Sequence, residues 1–271
     1  MCSIEVDGQP LRVAVRPGTA AGVPLLLVNG IGASLELLQP FVEAIDPALD
    51  VIRFDVPGVG GSQLPARPYR FTGLCRLMAR LLSTLGYGEA DVLGISWGGA
   101  VAQHFAVVQR ARCRRLVLVS TTTGALMVPA RPSVLAHMVT PRRYRDPGYL
   151  QGVAGDLYGG SARTEPDRVG ALMHAESQPG STRGYVYQLA ALTAWTSLPF
   201  LPLIRQPTLI VSGDDDPVIP LANARVMHSL ISRSQLHVFH GGHLGLVTEA
   251  AELAPVIGRF LAGHAGSGRA G

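Results

Sequence analysis

The stretch Asp91-Val-Leu-Gly-Ile-Ser-Trp-Gly-Gly-Ala100 decides how this chain is read. Val92 to Ile95 is a short apolar run of the kind that forms a buried strand. Ser96 follows at once, and Gly98, Gly99 and Ala100 open a segment with helical spacing. The pattern Gly94-x-Ser96-x-Gly98 is a nucleophile elbow, a serine on a sharp strand-to-helix turn with its hydroxyl projecting above a sheet. So tight a turn strains the serine backbone and crowds its neighbours, which is why glycine is needed two residues before and after. It also sets the hydroxyl at the positive end of the next helix. The competing reading is a plain glycine-rich turn, but the strand and helix that an elbow requires both flank this one.

Working outward, apolar runs recur at Leu11–Val15, Leu25–Val28, Val51–Asp55, Leu116–Val119, Pro207–Ser212 and Gln235–Phe239. Between them lie helix-spaced segments at Leu35–Ile45, Phe71–Leu85, Gly98–Gln109, Leu221–Leu230 and Glu249–Leu261. Strands alternating with helices predict an α/β fold, a mostly parallel sheet with helices on both faces and right-handed crossovers. The rhythm breaks from Gly124 to Ile204, where no strong buried strand is found. Prolines punctuate helix-like pieces there, and Tyr144, Tyr149, Tyr158, Tyr185, Tyr187 and Trp195 all fall within it. So many large apolar residues do not stay solvated, so this segment is expected to be a helical lid and not a linker. The expected division is a core from residues 1–123 and 205–262, a lid at 124–204 and a frayed glycine-rich tail at 263–271.

Composition narrows the class further. Of 271 residues 47% are hydrophobic and 15% charged, so the chain folds around a sizeable core. The net charge is +4 and every basic residue is arginine, but the arginines are scattered and outline no nucleic-acid surface. Cys2, Cys75 and Cys113 have neither disulfide nor metal-ligand spacing, and a reducing compartment fits them. No secretory signal or membrane-spanning run is visible, so the expected location is cytoplasmic. Histidines outside the strand-end turns lack a nearby carboxylate or cysteine pattern, so no metal site is expected.

In a parallel sheet the ligand crevice lies beyond the carboxyl ends of the strands, where the unusual turns fall. A serine nucleophile needs a base, and the base needs an acid, in chain order Ser, acid, His. Asp214, Asp215 and Asp216 follow one late strand; His240 and His243 follow the next. Asp216 is preferred, because Gly213-x-x-Asp216-Pro217 lets the chain turn back and Pro217 fixes the exit, with Asp215 and Asp214 as alternatives. His243 is preferred because Gly241 and Gly242 let its loop fold over the sheet edge. The oxyanion donors are expected to be the amides of Trp97 and, in the Asn29-Gly-Ile-Gly32 turn, Ile31. Asn29, Trp97 and Trp195 are expected to bind substrate.

The chain resembles an α/β-hydrolase over almost its whole length and, more narrowly, the intracellular depolymerases of medium-chain-length polyhydroxyalkanoates. Asn29-Gly-Ile-Gly-Ala33, Phe54-Asp-Val-Pro-Gly-Val-Gly-Gly-Ser62, Pro68-Tyr-Arg-Phe71, Ser96-Trp-Gly-Gly-Ala100, Pro141-Arg-Arg-Tyr144, Tyr158-Gly-Gly160, Trp195-Thr-Ser197, Gly213-Asp-Asp-Asp-Pro217 and Gly242-His-Leu244 carry the resemblance. Residue by residue, the family's triad falls on Ser96, Asp216 and His243. The resemblance implies a serine esterase that cleaves stored polyester to 3-hydroxy acids or oligomers through an acyl-enzyme, without a cofactor, at the surface of polymer granules. The alternatives are an esterase or lactonase for small apolar esters, a cofactor-free haloperoxidase, and a non-catalytic receptor that keeps the pocket.

Overall fold

The structure, a computed structural model, describes residues 1–20, 22–174, 178, 180–193 and 195–263. The expected tail, Gly263 apart, lies outside the described residues. Eight strands form one sheet: β1 (Cys2–Val6), β2 (Gln9–Arg16), β3 (Leu25–Val28), β4 (Val51–Phe54), β5 (Ala90–Ile95), β6 (Cys113–Val119), β7 (Thr208–Gly213) and β8 (Ser234–Phe239). Their order is β1-β2-β4-β3-β5-β6-β7-β8, with β2 antiparallel to both its neighbours and every pair from β4 to β8 parallel. β1 is absent from the sequence reading. It forms a hairpin with β2 through Asp7-Gly8, whose φ angles of 50° and 78° suit a right-handed strand twist. Every residue of β3, β5 and β7 is buried, because helices cover both faces of a parallel sheet.

The core helices are α1 (Gln39–Ala44), α2 (Phe71–Thr84) and α3 (Trp97–Val108) in the first half of the chain. Phe71, Leu74, Cys75, Met78, Leu81 and Leu82 of α2 form one buried stripe at helical spacing. Between β6 and β7 the chain forms α4 (Pro132–Met138), α5 (Pro147–Tyr158), α6 (Pro166–His174) and α7 (Thr182–Thr193). After β7 come α8 (Leu221–Leu230), then α9 (Gly245–Thr248) and α10 (Ala250–Leu261). α2 packs on α3, and α1 on α10.

The helical insertion has a two-stranded neck. Gly124 and Thr196 form an isolated antiparallel bridge; the Ala125 amide donates to Trp195 at 2.8 Å and the Ser197 amide to Thr123 at 3.0 Å. The bridge brings Gly124 and Thr196 together within the 124–204 span expected from sequence. Leu201 and Ile204 are buried, and the Gln206 side chain donates to the Ala106 carbonyl of α3 at 2.8 Å, so this return segment packs on the core. The return segment includes a short 3-10 turn at Leu201–Leu203.

Candidate active site

Ser96 ends β5 and begins α3 with φ 54° and ψ −120°, a backbone state that costs about 1–3 kcal/mol and persists only where neighbours enforce it. The enforcement is visible. The Ser96 amide donates to Val119 at 2.9 Å, and the Ser96 carbonyl accepts from Thr121 Oγ1 at 2.6 Å. A Cβ on Gly94 would come 2.3 Å from the Gly98 carbonyl oxygen, and one on Gly98 would come 2.1 Å from that of Val28. Both elbow glycines are therefore required by close backbone approach. This places the turn between β3 and β6 in the middle of the sheet.

Asp216 follows β7 and His243 follows β8, so both reach the carboxyl edge that presents Ser96. His243 Nδ1 lies 2.8 Å from Asp216 Oδ2, and His243 Nε2 lies 3.0 Å from Ser96 Oγ. An ionised carboxylate only accepts, so Nδ1 carries the proton and Nε2 is left to accept from the serine hydroxyl. The other oxygen of Asp216 accepts from the amides of Val218 and Ile219 at 2.9 and 2.8 Å, which fixes its plane. Ser96, Asp216 and His243 are 8%, 6% and 4% exposed, so their charges act with little screening by water.

The three adjacent aspartates have separate partners. Asp214 accepts from the Gly241 amide and pairs with His240 at 3.0 Å; the pairing holds the Asp214 carboxyl below its usual range and lifts His240 above its own. Asp215 accepts from Arg163 Nε at 2.7 Å and Nη2 at 3.0 Å, and from the Gly160 amide at 2.7 Å. Arg163 holds the Asp215 carboxyl below the carboxylate range. Asp215 thus ties the insertion to the loop that presents Asp216.

A second tie involves Tyr158-Gly-Gly160. The His243 amide donates to the Tyr158 carbonyl at 2.7 Å, and the Tyr158 ring lies parallel to the imidazole with centroids 6.3 Å apart. A Cβ on Gly242 would meet the Tyr158 oxygen at 2.1 Å, and one on Gly160 would meet the Gly242 nitrogen at 2.2 Å. The backbones of the insertion and of the His243 loop therefore interlock.

The turn after β3 faces the serine. The Asn29 side chain accepts from the Gly30 amide at 2.8 Å and donates to the Ser34 carbonyl at 2.7 Å, so it shapes the turn with both ends engaged. The Ile31 carbonyl accepts from Tyr144 Oη at 2.9 Å. Among the described residues neither the Ile31 amide nor the Trp97 amide has an acceptor, which leaves both able to donate to an oxyanion. Gln188 of α7 grips both neighbouring segments: its Oε1 accepts from the Gly32 amide at 2.8 Å and its carbonyl accepts from Trp97 Nε1 at 2.9 Å.

Ser96 and His243 line a cavity of about 20 Å³ together with Ile31, Met138, Arg143 and Tyr158, room for little more than one water. The structure does not bring the rings of Trp97 and Trp195 to it. The buried Trp97 indole needs an acceptor, and finding it on α7 directs the ring onto Phe71, edge-on at 5.4 Å. Trp195 packs on the far side of Phe71 at 5.0 Å, donates to His104 Nδ1 at 3.2 Å, and borders a separate open cavity of about 740 Å³ with Tyr69, Thr72 and Ala190. Arg143, Tyr144, Tyr158, Gln188 and the Arg163–Asp215 pair received no role from sequence patterning. Pro141-Arg-Arg-Tyr144 and Tyr158-Gly-Gly160 enter as motifs only through the resemblance, and Asp215 only as an alternative acid and in Gly213-Asp-Asp-Asp-Pro217. Among the described residues no group of three or more His, Cys, Asp or Glu could hold a metal ion, and no helix is long and apolar enough to cross a membrane.

Comparison with known proteins identifies the family and the fold. Residues 23–250 match the family model described as alpha/beta hydrolase fold. The chain is 51% identical over 260 residues, 96% of its length and 91% of the relative's, to a poly(3-hydroxyalkanoate) depolymerase of Ectopseudomonas oleovorans. It is 27% identical to 3-oxoadipate enol-lactonase 2 of Acinetobacter baylyi, over 86% of each chain. Among solved structures, the enol-lactonase of Burkholderia xenovorans LB400 superposes with a TM-score of 0.81 at 23% identity, covering 96% of this chain and 100% of that one, a likeness of fold. With an elbow serine after β5, an acid after β7 and a histidine after β8 of a mostly parallel eight-stranded sheet, the chain belongs to the α/β-hydrolase family.

Proposed function

We propose that this protein is a serine esterase that hydrolyses the ester bonds of medium-chain-length poly(3-hydroxyalkanoate). The observation that carries the chemistry is the buried relay from Ser96 Oγ through His243 to Asp216. The 51% identity to a poly(3-hydroxyalkanoate) depolymerase supports the substrate class. Ser96 Oγ attacks the ester carbonyl while His243 Nε2 takes its proton, and the Ile31 and Trp97 amides receive the developing oxyanion. Asp216 keeps the imidazole in the required tautomer and stabilises its cation. The tetrahedral intermediate expels the alcohol, protonated by His243, and leaves an acyl-enzyme. A water deprotonated by His243 then releases the 3-hydroxy acid or oligomer. No cofactor is needed for any step.

The insertion acts as a lid over the serine and carries apolar surface. Leu126, Val128, Leu135, Val139 and Val186 are exposed there, which suits adsorption to an insoluble aliphatic polymer granule. One observation favours a second reading, a lactonase or esterase of small apolar esters: the cavity at Ser96 is small with the lid in this position. Hydrolysis of dispersed polyhydroxyoctanoate, polyhydroxybutyrate and p-nitrophenyl acetate, by the wild type and by Ser96→Ala, decides between them. The expected result is preference for polyhydroxyoctanoate, with loss of several orders of magnitude in Ser96→Ala. Equal or faster attack on polyhydroxybutyrate would reject the chain-length assignment. Activity on p-nitrophenyl acetate alone would favour the small-ester reading.

A further inference from the structure

Arg143 is 1% exposed and has no carboxylate partner among the described residues. Its guanidinium remains charged in any protein environment, so its burial needs compensation. Its hydrogen-bond partners among the described residues are all neutral. Nη1 donates to Tyr185 Oη at 2.9 Å and to the Thr140 carbonyl at 3.2 Å; Nη2 makes one long contact, 3.5 Å, to the Ile31 carbonyl. The rings of Tyr144 and Tyr185 lie against it, at 4.6 and 5.5 Å from the guanidinium carbon to the centroids. Nε is buried with no acceptor among the described residues, and so is Tyr158 Oη. Both residues line the small cavity that holds Ser96 and His243.

Nε and Nη2 form the side edge of the guanidinium, whose two parallel N–H bonds match a carboxylate. The other edge is consumed by Tyr185 and Thr140. A buried cation whose bidentate edge makes only one long contact, with Nε left without an acceptor among the described residues, beside a buried hydroxyl, is a donor set for an anion. The substrate class limits which anion. In a poly(3-hydroxyalkanoate), the unit released as alcohol carries its own carboxyl group three bonds from the leaving oxygen. In the middle of the chain that group is a neutral ester; at the carboxyl terminus it is a free carboxylate. Three bonds thus separate the leaving oxygen from the carboxyl group, and Ser96 and Arg143 line one cavity.

We propose that Arg143, with Tyr158 Oη, binds the terminal carboxylate of the polyester, so that the enzyme works inward from the carboxyl end. This rests on the esterase reading above. In each cycle Ser96 Oγ bonds to the carbonyl carbon of the last ester, the bond from that carbon to the alkoxy oxygen breaks, and His243 protonates the departing oxygen. The leaving group is one 3-hydroxyalkanoate with its carboxylate on Arg143. Water then hydrolyses the acyl-enzyme and leaves a shortened chain with a new terminal carboxylate.

The test uses the soluble dimer of 3-hydroxyoctanoic acid, as the free carboxylate and as its methyl ester. The wild type is expected to cleave the internal ester of the free dimer with kcat/KM at least tenfold above that of the methylated dimer. In Arg143→Gln the ratio should fall to about one, whatever the absolute activity. Equal rates on the two dimers in the wild type, or an unchanged ratio in Arg143→Gln, would overturn the proposal and leave the esterase reading intact. Absence of hydrolysis of both dimers and of p-nitrophenyl octanoate would overturn both. Because a buried arginine contributes to folding, competition in the wild type supplies an independent measurement. 3-Hydroxyoctanoate should inhibit at least tenfold more strongly than its methyl ester, and equal inhibition would count against the carboxylate site.

Discussion

Replacing Gly160 by alanine tests whether the insertion positions His243, the proposed base. Gly160 has φ +49°, and an added Cβ would stand 2.2 Å from the Gly242 nitrogen and 2.9 Å from the Gly241 carbonyl carbon. Ordinary contact begins near 3.4 Å, so the two backbones must separate by about 1 Å. Neither atom is the end of a flexible side chain. Gly242 immediately precedes His243, whose amide is fastened to Tyr158 in the same interlock, so the shift passes to the imidazole. A displacement of about 1 Å in a catalytic group costs on the order of 100-fold in rate, or about 2.7 kcal/mol in transition-state stabilisation. The left-handed backbone adds about 1–2 kcal/mol of instability for a non-glycine residue. Gly152→Ala on α5 is the control, since an added Cβ there meets nothing within 4 Å and alanine favours a helix. The assay is kcat/KM on p-nitrophenyl octanoate alongside thermal melting by circular dichroism. Gly160→Ala should lose about two orders of magnitude in kcat/KM and a few degrees in Tm; Gly152→Ala should keep its activity and melt at or above the wild type. Activity of Gly160→Ala within threefold of wild type would refute the idea that this interlock sets the histidine.

Asp216→Asn should lower kcat by about 10⁴-fold, because only that carboxylate sets the tautomer of His243, while Asp214→Asn should stay within tenfold of wild type; a worse defect in Asp214→Asn would show that the relay is misassigned. The Asp215 carboxyl titrates below its unfolded value through Arg163, so its contribution to stability is present above about pH 3.9 and is lost as pH falls through the folded pKa. The Tm difference between the wild type and Asp215→Asn should therefore be largest near neutrality and shrink towards pH 3. It should be small throughout, about 1 kcal/mol or less, because both partners are partly exposed; a difference that grows on acidification would contradict this. Leu135→Ser with Val139→Ser should weaken sedimentation with polyhydroxyoctanoate particles and leave hydrolysis of soluble esters unaltered. Undiminished particle binding would place the adsorbing surface elsewhere.

Local rules determined much of this protein from its sequence. The buried strands were legible as apolar runs, since a strand covered on both faces has no polar side to interrupt it. The elbow was legible because close packing of Gly94 and Gly98 leaves no room for a Cβ, a constraint that leaves its mark in five residues. Chain order alone reduced the acid and base to Asp214, Asp215 or Asp216 and His240 or His243. β1 escaped notice because its residues are mostly exposed and its two-residue turn is short. Tertiary structure decided what depends on side-chain direction and on contacts far apart in sequence. It assigned the three neighbouring aspartates to His240, Arg163 and His243, a choice made by loop geometry that their shared chemistry does not encode. It turned Trp97 and Trp195 towards Phe71, because a buried indole N–H goes where an acceptor lies, and those acceptors are 91 residues away in each case. It joined Gly124 to Thr196 by a backbone bridge that no marked side-chain pattern announces. And it set Arg143 in the cavity of the serine with no carboxylate partner among the described residues, since which charges go unpaired in a folded interior is fixed only when the whole chain has packed around them.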